Sequence, residues 1–252
     1  MIDLPKLTIL AVEASKAAGQ EILKIYHSAD FGVEMKSDDS PLTLADKAAH
    51  EEIMKYLSET GLPVLSEEGK SIPYEERKNW EYFWMVDPLD GTKEFIKKNG
   101  EFTVNIALIH RDTPVMGVVY APVLDRMYWG NAEEGAWKQE GKEEARMLKR
   151  PETKMVRAIV ASRSHLSPET QEVIDRYPDA KVISMGSSLK FMLLAEGKAQ
   201  LYPRFAPTME WDTAAAHGVL LALGFTVKKT DNNQPLRYNK QNLLNPFFIC
   251  EG

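Results

Sequence analysis

A single cysteine, Cys250, stands in 252 residues. No internal disulfide can form, and the chain reads as suited to a reducing, intracellular compartment. No apolar run approaches the ~20 residues that a bilayer-spanning helix needs. The first thirty or so positions lack a basic stretch followed by an apolar core and a small-residue cleavage site, so the expected location is the cytoplasm. Positive charge is also in short supply: 31 Lys and Arg stand against 37 Asp and Glu, a formal net charge of -6. That balance excludes a broad nucleic-acid-binding surface, which needs a basic stripe. It does not exclude an anionic small molecule, because a bound divalent cation inverts the local field. Internal repeats and low-complexity tracts are absent as well. What remains is an ordinary globular composition, 44% hydrophobic and 27% charged, long enough to bury a core in one large domain or two packed halves.

The most specific stretch is Asp87-Pro88-Leu89-Asp90-Gly91-Thr92. It follows the apolar run Tyr82-Phe83-Trp84-Met85-Val86, which predicts a buried strand ending at the motif. Lys93-Glu94-Phe95-Ile96 comes next and can open a helix. Two carboxylates three residues apart offer the hard oxygen ligands that magnesium prefers. The amides of Gly91 and Thr92, at a helix N-terminus, suit a phosphate oxygen. The plain alternative is a capped turn in which Asp90 only satisfies helix amides.

Around this motif the apolar spacing predicts a helix over about 5–28, with Ile9, Leu10, Ile22, Leu23, Ile25 and Tyr26 among its apolar positions. A polar loop over Glu34 to Ser40 follows. Thr43 then reads as the N-cap of a helix from Leu44 to Leu57. Pro63 to Leu65 predicts a short strand, and Gly69 to Lys78 a turn-rich connection. Phe102 to Ile109, Pro114 to Tyr120 and Arg126 to Trp129 predict an antiparallel meander. Charge-dense Ala132 to Arg150 predicts loops and short strands, and the softest boundary lies near Pro151. Beyond it strands are expected at Val156 to Ala161, Val182 to Ser184 and Gln200 to Tyr202. Helices are expected from Ser167-Pro168-Glu169, over Ser188 to Ala195, and from Thr213 to Leu223, ending at Gly224. The expected organisation is an α+β half over 1–150 and an α/β half over 151–252.

Three further acids sit at similar boundaries. Glu67 follows the short strand, Asp212 precedes an apolar helix, and Asp46 lies one turn beyond Thr43. Each also has a structural reading, as a loop acid, an N-cap and a capping-box residue respectively. His217, inside an apolar helix, reads as packed structure. Cys250 offers no convincing nucleophile.

Taken together, Glu67 after a strand, Asp87 through Thr92, and Trp211-Asp212 at a helix start resemble the magnesium-dependent, lithium-sensitive sugar-phosphatase superfamily of inositol monophosphatases and fructose-1,6-bisphosphatases. Leu65-Ser66-Glu67-Glu68, the run from Asn99 to Ile109, Gly186-Ser187-Ser188-Leu189-Lys190-Phe191 and Leu201-Tyr202-Pro203-Arg204-Phe205 are similar to its CysQ-type 3'(2'),5'-bisphosphate nucleotidase branch. The resemblance covers nearly the whole chain. It implies an α+β fold, a layered αβαβα sandwich, and a phosphatase that takes the 3'-phosphate from adenosine 3',5'-bisphosphate in support of sulfate assimilation.

The same resemblance implies two or three magnesium ions. Glu67, Asp87 and the Leu89 carbonyl would hold one, and Asp87, Asp90 and Asp212 a second. A third, weaker ion would involve Glu67 and Asp46. Thr92 would orient a water, with Asp46 as the catalytic base behind it. Substrate would meet Glu67, Leu89, Asp90, Gly91, Thr92 and Asp212 at the reacting phosphate. Ser187, Lys190 and Arg204 would hold the second phosphate, and His165 would lie against the base. The resemblance implies a monomer or homodimer acting on a small nucleotide, with no nucleic-acid polymer and no integral membrane contact; relatives associate peripherally with an inner membrane. Close alternatives are an inositol monophosphatase or an inositol-polyphosphate 1-phosphatase, and a non-enzymatic one is a metal-binding regulatory protein.

Overall fold

Small residues at helical spacing make the first layer. In a computed structural model, which describes residues 2–28, 41–152, 155–161 and 166–252, α1 (Leu4–Ser28) and α2 (Pro41–Leu57) pack against each other. Their buried faces carry Ala11, Ala14, Ala18 and Ile22 on one side and Ala45, Ala49 and Ile53 on the other. Alanines let the two backbones approach closely, and the larger Ile9, on a face expected to be core or subunit contact, is 61% exposed. Helix α2 starts at Pro41 rather than after Thr43. Proline suits the first turn, where its missing N–H has no intrahelical partner. Asp46 therefore lies inside the helix and is not a capping-box residue. The expected loop over 34–40 lies outside the described residues.

The second layer is a seven-stranded sheet in the order β1 to β7. It comprises β1 (Val64–Ser66), β2 (Tyr82–Asp90), β3 (Thr103–His110), β4 (Thr113–Ala121), β5 (Arg126–Asn131), β6 (Gly135–Glu140) and β7 (Arg146–Met147). Only β1 pairs in parallel, with β2; the rest form the expected antiparallel meander. Its central strands are buried on both faces, which is why they read as continuous apolar runs. Trp84, Val86, Ile106, Leu108 and Val118 meet α1 and α2, whereas Met85, Ala107, Ile109 and Val119 face the opposite core. The connection after β1 is not all loop. It contains the short α3 (Tyr74–Arg77), whose Arg77 is buried and bonds Asn239 Oδ1 at 2.8 Å and the Gln241 carbonyl at 3.1 Å.

After β2 comes α4 (Thr92–Ile96). The remainder of the chain adds β8 (Ala158–Ala161), α5 (Pro168–Asp175), β9 (Lys181–Ser184), α6 (Leu189–Ala195), β10 (Leu201–Arg204), α7 (Trp211–Ala222), β11 (Val227–Lys229) and β12 (Phe248–Glu251). Its five strands form a second sheet in the order β11-β12-β10-β8-β9. Strands β11 and β12 escape the sequence reading because each is short, three and four residues. Helices α6 and α7 lie between the two sheets, and α5 covers the far face of the second through Val173, Ile159 and Leu201. The layers are thus αβαβα, as expected. Among the described residues, no helix is long and apolar enough to cross a membrane.

Helix α7 lies unusually close to β4. A Cβ on Gly117 would fall 1.9 Å from the Ala215 carbonyl oxygen, and one on Gly218 2.7 Å from the Met116 carbonyl carbon. Both glycines are needed for space, not for backbone conformation. Gly117→Val is expected to cost at least ~3 kcal/mol, because backbone atoms rather than a side-chain tip must move. Chemical denaturation should show this as a large loss of midpoint.

Candidate active site

Three chain segments bring carboxylates to one point, each by its own local geometry. Strand β1 runs parallel to β2 with Ser66 opposite Val86, and the Glu67 N–H donates to the Val86 carbonyl at 3.1 Å. Glu67 therefore emerges beside Asp87. Strand β2 does not stop before the motif but continues to Asp90 with a bulge. Asp87 pairs with Asn105 and Asp90 with Thr103, so Pro88 and Leu89 together oppose Val104. Pro88 has no N–H to lose, and that of Leu89 donates to Asp87 Oδ1 at 3.1 Å. Gly91 then turns the chain at φ 103°, a left-handed conformation that favours glycine, and α4 follows. The third segment is the first turn of α7, where Asp212 Oδ2 accepts the Met209 N–H at 2.9 Å.

Carboxylate oxygens of Glu67, Asp87 and Asp212 all lie within 4.8 Å of one another. Their proton affinities register the crowding. Burial, and then Asp90, Glu67, Asp212 and Asp46, hold the Asp87 carboxyl well above the usual range. Burial and then Asp90 push Asp212 up to about 7, and burial also raises Glu67 despite a hydrogen bond with Asp87. Asp46 is pushed up to about 8 by burial and then by Glu68 and Glu67. Such acids cannot all ionise without a cation among them. An all-oxygen, carboxylate-rich donor set suits a hard cation such as magnesium.

Asp90 is not a helix cap, since the N-cap of α4 is Gly91. Its Oδ2 instead accepts Ser187 Oγ at 2.6 Å, the Ser188 N–H at 2.8 Å and Ser188 Oγ at 3.1 Å. Ser187, at φ 52°, also contacts the Thr103 hydroxyl. Asp87, Asp90 and Asp212 each commit an oxygen to a backbone N–H, which fixes the orientation of the carboxylate.

The cluster lines a cleft of about 510 Å³, whose wall includes Leu89, Gly91 and Thr92. Lys190, Arg204 and Ser187 line the same cleft. Lys190 Nζ donates to the Ser187 carbonyl at 2.9 Å. Burial pulls its pKa down to about 8, with Arg204 adding to the effect and Asp90 opposing it. Arg204 Nη2 reaches the Pro207 carbonyl at 3.4 Å, while its Nε is buried without a partner. Asp46 lies close enough to act electrostatically on Asp87. It makes no hydrogen bond to Thr92 among the described residues. His165 lies outside the described residues. His217 is buried against the Tyr238 hydroxyl at 2.9 Å, and Cys250 is fully buried with its thiol pKa raised.

Sequence reading passed over Ser188 and Asn105. Ser188 is buried and joins two of the acidic segments: its hydroxyl reaches Asp90 Oδ2 and, at 2.8 Å, the Asp212 carbonyl. It also accepts Asn105 Nδ2 at 3.1 Å. One hydroxyl proton cannot serve both acceptors, so it goes to whichever the loaded site leaves available. The signal for Asn105 was present, because Thr103 and Asn105 put two polar residues on one face of an apolar strand. Ser188→Ala is expected to weaken magnesium affinity about 10–100-fold, the usual cost of losing a partner behind a metal ligand. Calorimetric titration with magnesium measures it directly.

Fold and site together define a class: a layered αβαβα protein with an acidic cleft at the strand ends whose carboxylates could hold a metal ion. The chain belongs to the inositol monophosphatase family, whose model matches residues 3–246. Within that family it is 48% identical over 242 residues to the 3'(2'),5'-bisphosphate nucleotidase CysQ of Escherichia coli O157:H7, covering 94% of this chain and 96% of that protein. It is 46% identical to the Salmonella typhimurium CysQ, with the same coverage. The crystal structure of CysQ from Bacteroides thetaiotaomicron superposes with a TM-score of 0.91 at 47% identity, over 98% of this chain and 97% of that one.

Proposed function

We propose that this chain is a magnesium-dependent phosphatase that removes the 3'-phosphate of adenosine 3',5'-bisphosphate, giving AMP and phosphate, in the cytoplasm and in support of sulfur metabolism. The observation that carries the reading is one cleft that holds both a carboxylate cluster and two cations, Lys190 and Arg204. A substrate with a single phosphate needs only the first. A bisphosphate uses both, with Ser187, Lys190 and Arg204 on the 5'-phosphate and His165 against the adenine. Relatives nearly half identical along almost the whole chain bear the name of that activity, which supports the same assignment.

Glu67, Asp87, Asp90, Asp212 and the Leu89 carbonyl would hold two ions, with Asp46 and Glu67 serving a weaker third. Magnesium bound there supplies positive charge for the phosphate oxygens and the leaving group, and acidifies a water. The chain's own groups do the rest. The amides of Gly91 and Thr92 bind the reacting phosphate, and the Thr92 hydroxyl orients the attacking water in line with the 3'-oxygen. Asp46 takes the proton through Thr92, a role suited to a carboxyl with a pKa raised toward neutrality. No covalent intermediate is needed.

Phosphate release is to be compared for adenosine 3',5'-bisphosphate and inositol 1-phosphate, with and without magnesium. Strong preference for the nucleotide, lost without magnesium, is expected. Preference for inositol 1-phosphate would overturn the substrate assignment, and turnover of neither would favour a metal-binding regulatory role.

A further inference from the structure

A second cavity, of about 690 Å³, is larger than the acidic cleft. It lies at the other end of the first sheet, around the start of β2 and the Arg111-Asp112 turn between β3 and β4. The length of β2 separates it from Asp90 by about 25 Å. Four cations line it, Lys78, Arg111, Arg237 and Lys240, against two acids, Glu81 and Asp112, on a chain whose formal net charge is -6.

These cations are only loosely engaged at the rim. Arg237 reaches Asp112 at 3.1 Å with both side chains about half exposed, and Lys78 pairs with the exposed Glu75. Exposed pairs of this kind contribute little and exchange readily for a better anion. Arg111, exposed at φ 57°, makes no side-chain hydrogen bond or ion pair among the described residues. The half-buried Trp80, packed on Phe83, supplies a flat wall.

Lys240 differs, because it connects this cavity to the metal site. Its ammonium pairs with the Glu210 carboxylate, which is fully buried. Glu210 also accepts the Asn239 N–H at 2.5 Å and the Lys240 N–H at 3.1 Å. Glu210 caps α7 immediately before Trp211-Asp212, and its carbonyl receives the N–H groups of Thr213 and Ala214. An anion that draws Lys240 away removes the ion-pair partner of a buried carboxylate, leaving Arg77 as the other cation that acts on it. The Asn239 and Lys240 amides must then tighten on it or the first turn of α7 must shift.

We propose that this cavity is a second, non-catalytic site for a small phosphate-bearing anion, and that its occupancy reaches α7 through Lys240 and Glu210. Neither element of the proposal depends on the substrate assigned to the acidic cleft.

Nitrogen–proton correlation spectra of the magnesium-free protein test it. The Trp80 indole reports on this cavity, the Trp211 indole on the acidic cleft, and the Asn239 and Lys240 amides on the Glu210 clamp. Inorganic pyrophosphate and ADP are titrated separately, with adenosine as the uncharged control. Saturable shifts of Trp80, Asn239 and Lys240 with either phosphate probe are expected. Equal responses would assign the free phosphate group as the determinant, and a response to ADP alone a nucleotide. Arg111→Asn removes the charge while keeping a residue that tolerates positive φ, and it should raise the dissociation constant at least about tenfold. Lys78→Gln should act in the same direction. Movement of Trp211 alone, no saturable shift at Trp80, or shifts that both variants leave unaltered would overturn the site. Shifts at Trp80 with the Thr213 and Ala214 amides of α7, which donate to the Glu210 carbonyl, unmoved would overturn the coupling.

Discussion

Asp87→Asn should abolish turnover while making the metal-free protein more stable. Asp87 is fully buried at the centre of the carboxylate cluster, and every neighbour named with it is an acid. The amide keeps the shape and the acceptor for the Leu89 N–H, but removes a charge that burial and four carboxylates oppose. Relief of about 1 kcal/mol would raise the melting temperature by ~3 °C in a chain of this size. Turnover should fall at least about a thousandfold, since the metal clamp contributes several kcal/mol and each 1.4 kcal/mol is tenfold in rate.

The pH dependence follows from the same crowding. Asp212 rises from an ordinary 3.8 to about 7, and Asp46 from 3.8 to about 8. Acids whose folded values are raised hold extra protons in the native state, so stability falls as pH rises between the unfolded and folded values. Metal-free protein is therefore expected to be more stable near pH 5 than near pH 8. Magnesium, taking the place of those protons, should flatten the difference in the wild type and have little effect on Asp87→Asn. Thermal melts at both pH values, with and without magnesium, check all of this. A variant that still gains stability from magnesium would remove Asp87 from the cluster's ligands.

Lys190→Met tests the cationic part of the cleft. Losing a charge-assisted bond to a phosphate costs about 2–3 kcal/mol, so KM for adenosine 3',5'-bisphosphate should rise about 30–160-fold. Turnover of 3'-AMP, which has no second phosphate, should change little. Lys190 falls from an ordinary 10.5 to about 8 because burial disfavours its charge. Raising pH through about 8 should thus lower kcat/KM for the bisphosphate more than for 3'-AMP, and the comparison cancels the titrations both substrates share. In Lys190→Met that difference should vanish. Methionine occupies a similar volume without a buried charge, so folding is expected to survive. Equal losses on both substrates would place Lys190 with the reacting phosphate instead.

The chain sequence determined the elements and the ingredients of the site. Apolar runs marked the central strands because both their faces are covered, and Asp87 through Thr92, Glu67 and Trp211-Asp212 were legible as acids at strand and helix ends. Local pattern misled where the partner was distant. Thr43 carries cap chemistry, yet the helix begins at Pro41, and Asp90 sits at a helix start, yet its carboxylate turns to Ser187 and Ser188. Ser188 and Asn105 were invisible as a pair because 83 positions separate them along the chain.

Only the tertiary structure decided which acids meet, since the parallel register of β1 on β2 and the seating of α7 on Gly117 bring Glu67, Asp87 and Asp212 within one cation's reach. It also decided that Lys190 and Arg204 share the cleft, and that Lys240 links a distant cavity to α7 through Glu210. Charge interactions depend on separation in space and on burial. A sequence lists the charges, and folding sets both of those quantities.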